Sequence, residues 1–134
     1  MTGNGPRRNE DELVRIKAIA GTEADGPVLM LNLNRYTDAA GYPDGDLYRR
    51  YMTVLDDLLP KVGGRILWRT RVLGQAVGEQ AVDEILAVWY PSHQAFVDLP
   101  HAPGGEENFQ LRQECVAEAV IHRCRGDLAP LDGI

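Results

Sequence analysis

The sequence is poor in residues that announce a cofactor. Cys115 and Cys124 are the only cysteines in 134 residues. They form no CxxC pair, and no Cys/His spacing resembles a zinc site. They read as small, reduced hydrophobes. No histidine is placed on a cavity-facing helix to serve as an axial haem ligand. Dinucleotide, Walker A, HExxH and GxSxG patterns do not occur. Twenty Asp and Glu against fourteen Lys and Arg give a formal charge of -6, so a broad basic footprint for nucleic acid is missing. No basic stretch is interleaved with aromatics for RNA. No run of 18 apolar residues could span a membrane, and Met1 to Glu12 is polar where a secretory signal needs an apolar segment. These absences predict a cytoplasmic protein without metal, organic cofactor, nucleic-acid partner or membrane partner.

What is present is an ordinary globular composition, 44% hydrophobic and 25% charged, at a length that fits one domain. The expected division is a tail and short amphipathic helix over 1–26, a folded domain over 27–125 and a tail over 126–134. In the first part, Asp11 to Ala20 has Leu13, Val14, Ile16 and Ala20 at helical spacing, and Gly21 is a natural stop. Val28 to Leu33 is almost continuously apolar and reads as a strand buried on both faces. Leu47, Tyr51, Val54, Leu55, Leu58, Leu59 and Val62 line one side of a long helix that Pro60 should kink or end. Arg65 to Leu73 and Glu84 to Tyr90 read as strands joined by a long connection. Ser92 caps a short helix with Ala95, Phe96 and Leu99 inward. Glu106 to Ala119 is expected to be helical, with Phe109, Cys115 and Val116 inward, and Val120 to Cys124 is the fourth strand.

Strand, helix, strand, strand, helix, strand is the order of an α+β, ferredoxin-like βαββαβ sandwich with an antiparallel four-stranded sheet. Its helices cover one sheet face. Met30, Trp68, Val72, Ala87 and Trp89 are expected on the other, which is too apolar to leave to water. A second copy paired through that face, giving a homodimer, would cover it.

The ordered series Pro27 to Tyr36, Gly63-Gly64-Arg65, Trp89-Tyr90-Pro91-Ser92 and Arg112 resembles the domain of unknown function 1330 family, of the dimeric α/β-barrel superfamily. The resemblance covers roughly Pro27 to Arg125. It implies a ferredoxin-like protomer and a two-fold dimer whose sheets form a barrel. The superfamily includes cofactor-free monooxygenases, isomerases, polyketide cyclases and haem enzymes, alongside members that only bind ligands. His93 stands where the family often carries Arg, and His101 to Gly105 replaces a more regular approach to the last helix.

Few residues could carry chemistry. His93, in the first turn of a helix, is the candidate general base, or else an exposed junction residue. Asn32 could hold a ligand carbonyl or hydroxyl, or bond a neighbouring strand. Arg112 could clamp a carboxylate, or pair with Asp83, Glu84 or an acid across a dimer. Tyr48, Tyr51, Trp68 and Trp89 are candidate pocket walls or packing residues. Asp83 and Glu84 should point to opposite faces and form no acid/base pair. The expected site brings Asn32, Arg112 and His93 together around a small-molecule ligand. Its expected reaction is a proton-transfer rearrangement, cyclisation or related step on an apolar or anionic metabolite. The alternative is a non-catalytic ligand-binding or accessory dimer.

Overall fold

The computed structural model describes residues 8–127; of the two expected tails, 1–7 and 128–134 lie outside it. Helix α1 (Glu10–Ile19) precedes β1 (Val28–Tyr36), α2 (Asp46–Leu58), β2 (Arg65–Arg71), β3 (Glu84–Tyr90), α3 (His93–Asp98), α4 (Gly105–Cys115) and β4 (Val116–Arg125). The strands form one antiparallel sheet in the order β2-β3-β1-β4. This is the ferredoxin-like βαββαβ arrangement.

Strand parity decides what each face carries. Val28, Met30, Asn34 and Tyr36 of β1 and Glu84, Leu86, Val88 and Tyr90 of β3 are buried on the helix side. Helix α2 meets them with Tyr48, Tyr51, Met52, Leu55 and Leu58, which recur every three or four residues and so form one stripe. Leu111 and Cys115 of α4 complete this core. Ile16 of α1 is 3% exposed and joins the same cluster, so the short first helix packs on the domain.

Several expectations change here. Met30 belongs to the helix-side core, because it shares parity with Val28 and lies opposite Val88. The face away from the helices carries Leu29, Leu31 and Leu33, paired with Trp89, Ala87 and Ile85, with Trp68 opposite Ala87. An irregularity between Ile66 and Trp68 puts Ile66 opposite Val88 and Trp68 on the outer face, 50% exposed. Phe109 is 54% exposed, since two residues before Leu111 is about 200° around a helix. α4 ends at Cys115 and β4 starts at Val116, so the last strand begins four residues before Val120. Among the described residues, no helix is long and apolar enough to cross a membrane.

The loop into α2 is held by a close glycine pair. The Gly45 N–H donates to the Gly41 carbonyl at 2.6 Å, and Gly41 has a left-handed φ of 70°. A Cβ on Gly45 would meet the Ala40 carbonyl oxygen and lie 2.6 Å from the Gly41 Cα, both backbone atoms that cannot swing aside. Gly45→Ala is expected to lower stability by about 1–3 kcal/mol, the usual cost of overpacking. Urea unfolding midpoints of the two proteins check it.

Candidate functional site

Where β3 leaves the sheet, Pro91-Ser92 turns the chain and the Ser92 hydroxyl accepts from the Ala95 N–H at 3.0 Å, starting α3 at His93. The linker before β1 places Asp25 against that turn. Its Oδ1 accepts from the backbone N–H of Gly26 (2.7 Å) and of His93 (2.7 Å), and its Oδ2 from Gly21 (3.0 Å) and Gln94 (3.2 Å). His93 Nδ1 lies 2.9 Å from Oδ1. Burial pushes the Asp25 carboxyl up, but the bonds from Gly21, His93 and Gln94 outweigh it and hold it well below the usual carboxylate range.

An ionised carboxylate can only accept, so Nδ1 of His93 carries the shared proton. The Nε2 edge then faces Arg123, whose Nη1 is 3.5 Å away. Arg123 lies opposite Met30 in the β1–β4 register, on the helix side of the sheet. Its Nε and Nη2 donate to the two carboxylate oxygens of Glu12 in α1, at 2.5 and 3.2 Å. An open cleft of about 340 Å³ runs along this edge, lined by His93, Arg123, Cys124 and Arg125, with Gly26 and Pro27 at its side. That volume suits a small molecule.

A second polar centre sits at the far end of β1. Glu84, 3% exposed, accepts from the Tyr36 hydroxyl at 2.5 Å and shares the Tyr48 hydroxyl between both oxygens at 2.9 Å. Arg69 donates to the Tyr48 oxygen at 3.2 Å, and the Asn34 amide to the Tyr36 oxygen at 3.3 Å. Tyr36, Tyr42 and Tyr48 pack ring against ring with centroids 4.8–5.1 Å apart. Burial first, and then the bond to Glu84, drives the Tyr36 and Tyr48 phenols far above their ordinary value. This cluster ties α2 and its loop to the sheet, and it leaves Asn34 Oδ1 buried without a partner among the described residues.

The expected site residues are therefore dispersed. His93 is 8% exposed, engaged with Asp25 and facing Arg123. Asn32 is half-buried on the helix side, and its amide donates to the Met30 carbonyl at 3.1 Å. Arg112 is half-buried and makes no ion pair among the described residues. Asp83 accepts from the Tyr36 N–H, and Glu84 is taken by phenols, so neither serves as its partner. The Arg112 guanidinium instead opposes the rise that burial imposes on the Tyr51 and Tyr90 phenols. Tyr48 and Tyr51 are both buried in the core. Trp68 and Trp89 lie on the outer face; the Trp89 indole donates to the Gly126 carbonyl at 3.0 Å and Arg65 lies over its ring. Burial pushes the Cys115 thiol up to about 11, which suits a packing role. His101 and His122 are exposed.

Three roles escaped sequence reasoning, although Glu84 itself was weighed there as a partner for Arg112. Arg123 could have been found, because strand alternation in β4 puts it on the inward side with Ile121. Glu84 lies in an apolar strand and could have been found the same way. Asp25 left no signal, since one acid in a short linker is ordinary.

The Asp25 geometry fixes a pH response. A carboxyl lowered by folding adds stability that is complete above its unfolded value of about 3.9 and is lost as pH falls from there toward the folded value. Asp25→Asn is expected to be less stable at pH 7 and to lose less further stability between about pH 4 and 2. Thermal unfolding across that range measures the difference.

No family model matches the chain, including any for the resemblance drawn above, and no curated protein matches it. Among solved structures, methylated RPA0582 superposes with a TM-score of 0.76 at 25% identity, covering 96% of this chain and 98% of that one. RPA0582 from Rhodopseudomonas palustris, a protein of unknown function, gives 0.74 at 26% identity over 92% of this chain and 97% of that one. A dimeric ferredoxin-like protein of unknown function from Thermobifida fusca YX gives 0.51 at 17% identity, covering 73% and 89%, and this likeness bears on the fold alone. Together they place the chain among ferredoxin-like proteins and name no reaction.

Proposed function

We propose that this protein is a homodimer, and that each protomer binds a small apolar or anionic metabolite in the His93 cleft and moves a proton on it without metal or organic cofactor. The Asp25–His93 pairing carries this reading. Asp25 fixes the proton on Nδ1, so the Nε2 lone pair points to Arg123 at the cleft wall, where a ligand proton would have to take the place of that contact. The step transfers a proton from an activated C–H of the ligand to Nε2. The imidazolium that forms is held by Asp25 through Nδ1–H, while an arginine at the cleft balances the negative charge left on the ligand oxygen. Return of the proton to another carbon completes a rearrangement. In the second reading the same open cleft binds its ligand and does no chemistry.

The dimer rests on the outer sheet face. Trp68 is 50% exposed there, beside the apolar side chains of β1 and β3. The Thermobifida fusca neighbour is itself described as dimeric.

Proton transfer is tested by incubating the protein with pyruvate in D2O and following loss of the methyl proton signal by NMR. The wild type should exchange above the buffer rate. His93→Asn should lose about 100-fold or more of that excess, and His101→Asn should keep it. Exchange at the buffer rate, or an unaffected His93→Asn, would falsify the catalytic reading and leave the binding one. For the dimer, Trp68→Glu puts a charge on the pairing face and should sediment as a folded monomer. A dimer as tight as the wild type would mean that this face does not pair.

A further inference from the structure

We propose that Arg123 is the carboxylate clamp of the His93 cleft and that Glu12 of α1 is its resident occupant, so that a small carboxylate ligand binds by displacing Glu12 and releasing α1. This rests on the cleft reading above and adds the ligand class and a gate.

The chemistry of the clamp is already on display. Arg123 holds Glu12 with two parallel N–H···O bonds, the two-pronged geometry by which guanidinium recognises a carboxylate. Arg125, the second cation at the cleft, holds Asp127 in the same manner, with both bonds at 3.2 Å. Each arginine of the cleft thus carries a carboxylate supplied by the chain itself. Arg123 also reaches the proposed base, with its Nη1 3.5 Å from Nε2. The Nε and Nη2 edge that holds Glu12 is distinct from the Nη1 that faces His93, so the clamp sits beside the base at the cleft wall.

Displacement is feasible because the Glu12–Arg123 side chains keep 33% and 28% of their exposure. Replacing one carboxylate by another on a part-solvated arginine conserves the charge and the hydrogen bonds. What α1 then loses is its polar anchor, leaving Ile16 as its one buried residue. The linker beyond it stays in place: Gly21, with φ of 75°, and Asp25 are bonded to one another and to α3 without using Arg123. Release would accordingly stop at Gly21 and leave the Asp25–His93 pairing intact. Ligand and α1 compete for one group, so each weakens the other by the same factor.

The test uses the full chain and benzoate, an inert carboxylate that cannot be turned over. Titration calorimetry should show binding to the wild type, about fivefold tighter binding to Glu12→Gln, and none to Arg123→Gln. Arg123→Lys keeps the charge and loses the fork, so it should bind about tenfold more weakly while remaining folded. In hydrogen exchange, benzoate should speed the α1 amides of the wild type and leave those of Glu12→Gln, already fast, unchanged. Equal affinity in the wild type and Glu12→Gln, binding that survives in Arg123→Gln, or unaltered α1 exchange would overturn the gate. So would absence of binding to both wild type and Glu12→Gln. Pyruvate exchange that still depends on His93 would then show the cleft reading standing without the clamp.

Discussion

Asp25 is a carboxylate with no arginine or lysine partner among the described residues, and the geometry of the cleft depends on how its charge is held. Backbone N–H groups from the linker and from the first turn of α3 converge on it, and the His93 imidazole adds a further donor. A charge held by backbone dipoles is fixed in place, because those groups cannot rotate away as a lysine or arginine can. The same bonds join the segment before β1 to the element after β3. One interaction thus closes the sheet's end and orients the imidazole, with His93 Nδ1 engaged and Nε2 turned to Arg123 at the cleft wall.

The two polar centres sit at opposite ends of β1, and the apolar middle separates them. Register places Val28 beside Tyr90 and Arg125 at one end, and Asn34 beside Glu84 at the other. Six residues of strand put these rows about 20 Å apart. They differ in chemistry as well as place. Glu84 is enclosed by phenols whose own ionisation is suppressed, so that end holds protons fast. The His93 end is open and carries two arginines, each paired with a carboxylate of the chain. Enclosure explains why the first suits a clasp between α2 and the sheet, and openness why the second suits a ligand.

The order of elements was legible in the sequence because β1 and β3 are short apolar runs flanked by Pro27 and Pro91, Gly63-Gly64 stands before β2, and α2 keeps a clean helical stripe. Pro60 marked the end of α2 correctly, and Ser92 capped α3 as its position after the turn demands. The start of β4 was harder. Helix α4 passes into strand without a break, and Val116 and Ala119 are acceptable in either state, so composition gives no boundary there. The face of Met30 was misleading because β1 is apolar on both sides and its amides, Asn32 and Asn34, fall on the helix side, where polar side chains are not expected. The site was less legible than the fold. Arg112 looked inward by helical spacing, yet the cation beside His93 is Arg123, and only the pairing of β4 with β1 brings it there.

Parity also separates the proposed chemistry from the proposed pairing. Arg123 projects to the helix side of β4, while its neighbour Cys124 lies opposite Leu29 on the outer face, and both line the cleft. The cleft therefore straddles the rim where the two faces meet. A second copy seated on Trp68 and the outer residues of β1 and β3 would cover the middle of the outer face. Arg123 and His93 would stay on the other side of their own sheet. Each protomer would then keep a complete site, and only the Cys124 wall would feel the partner. In this arrangement dimerisation shields apolar surface and acts on the cleft through one wall, whereas α1, bonded to Arg123 itself, acts on the group that would hold the ligand.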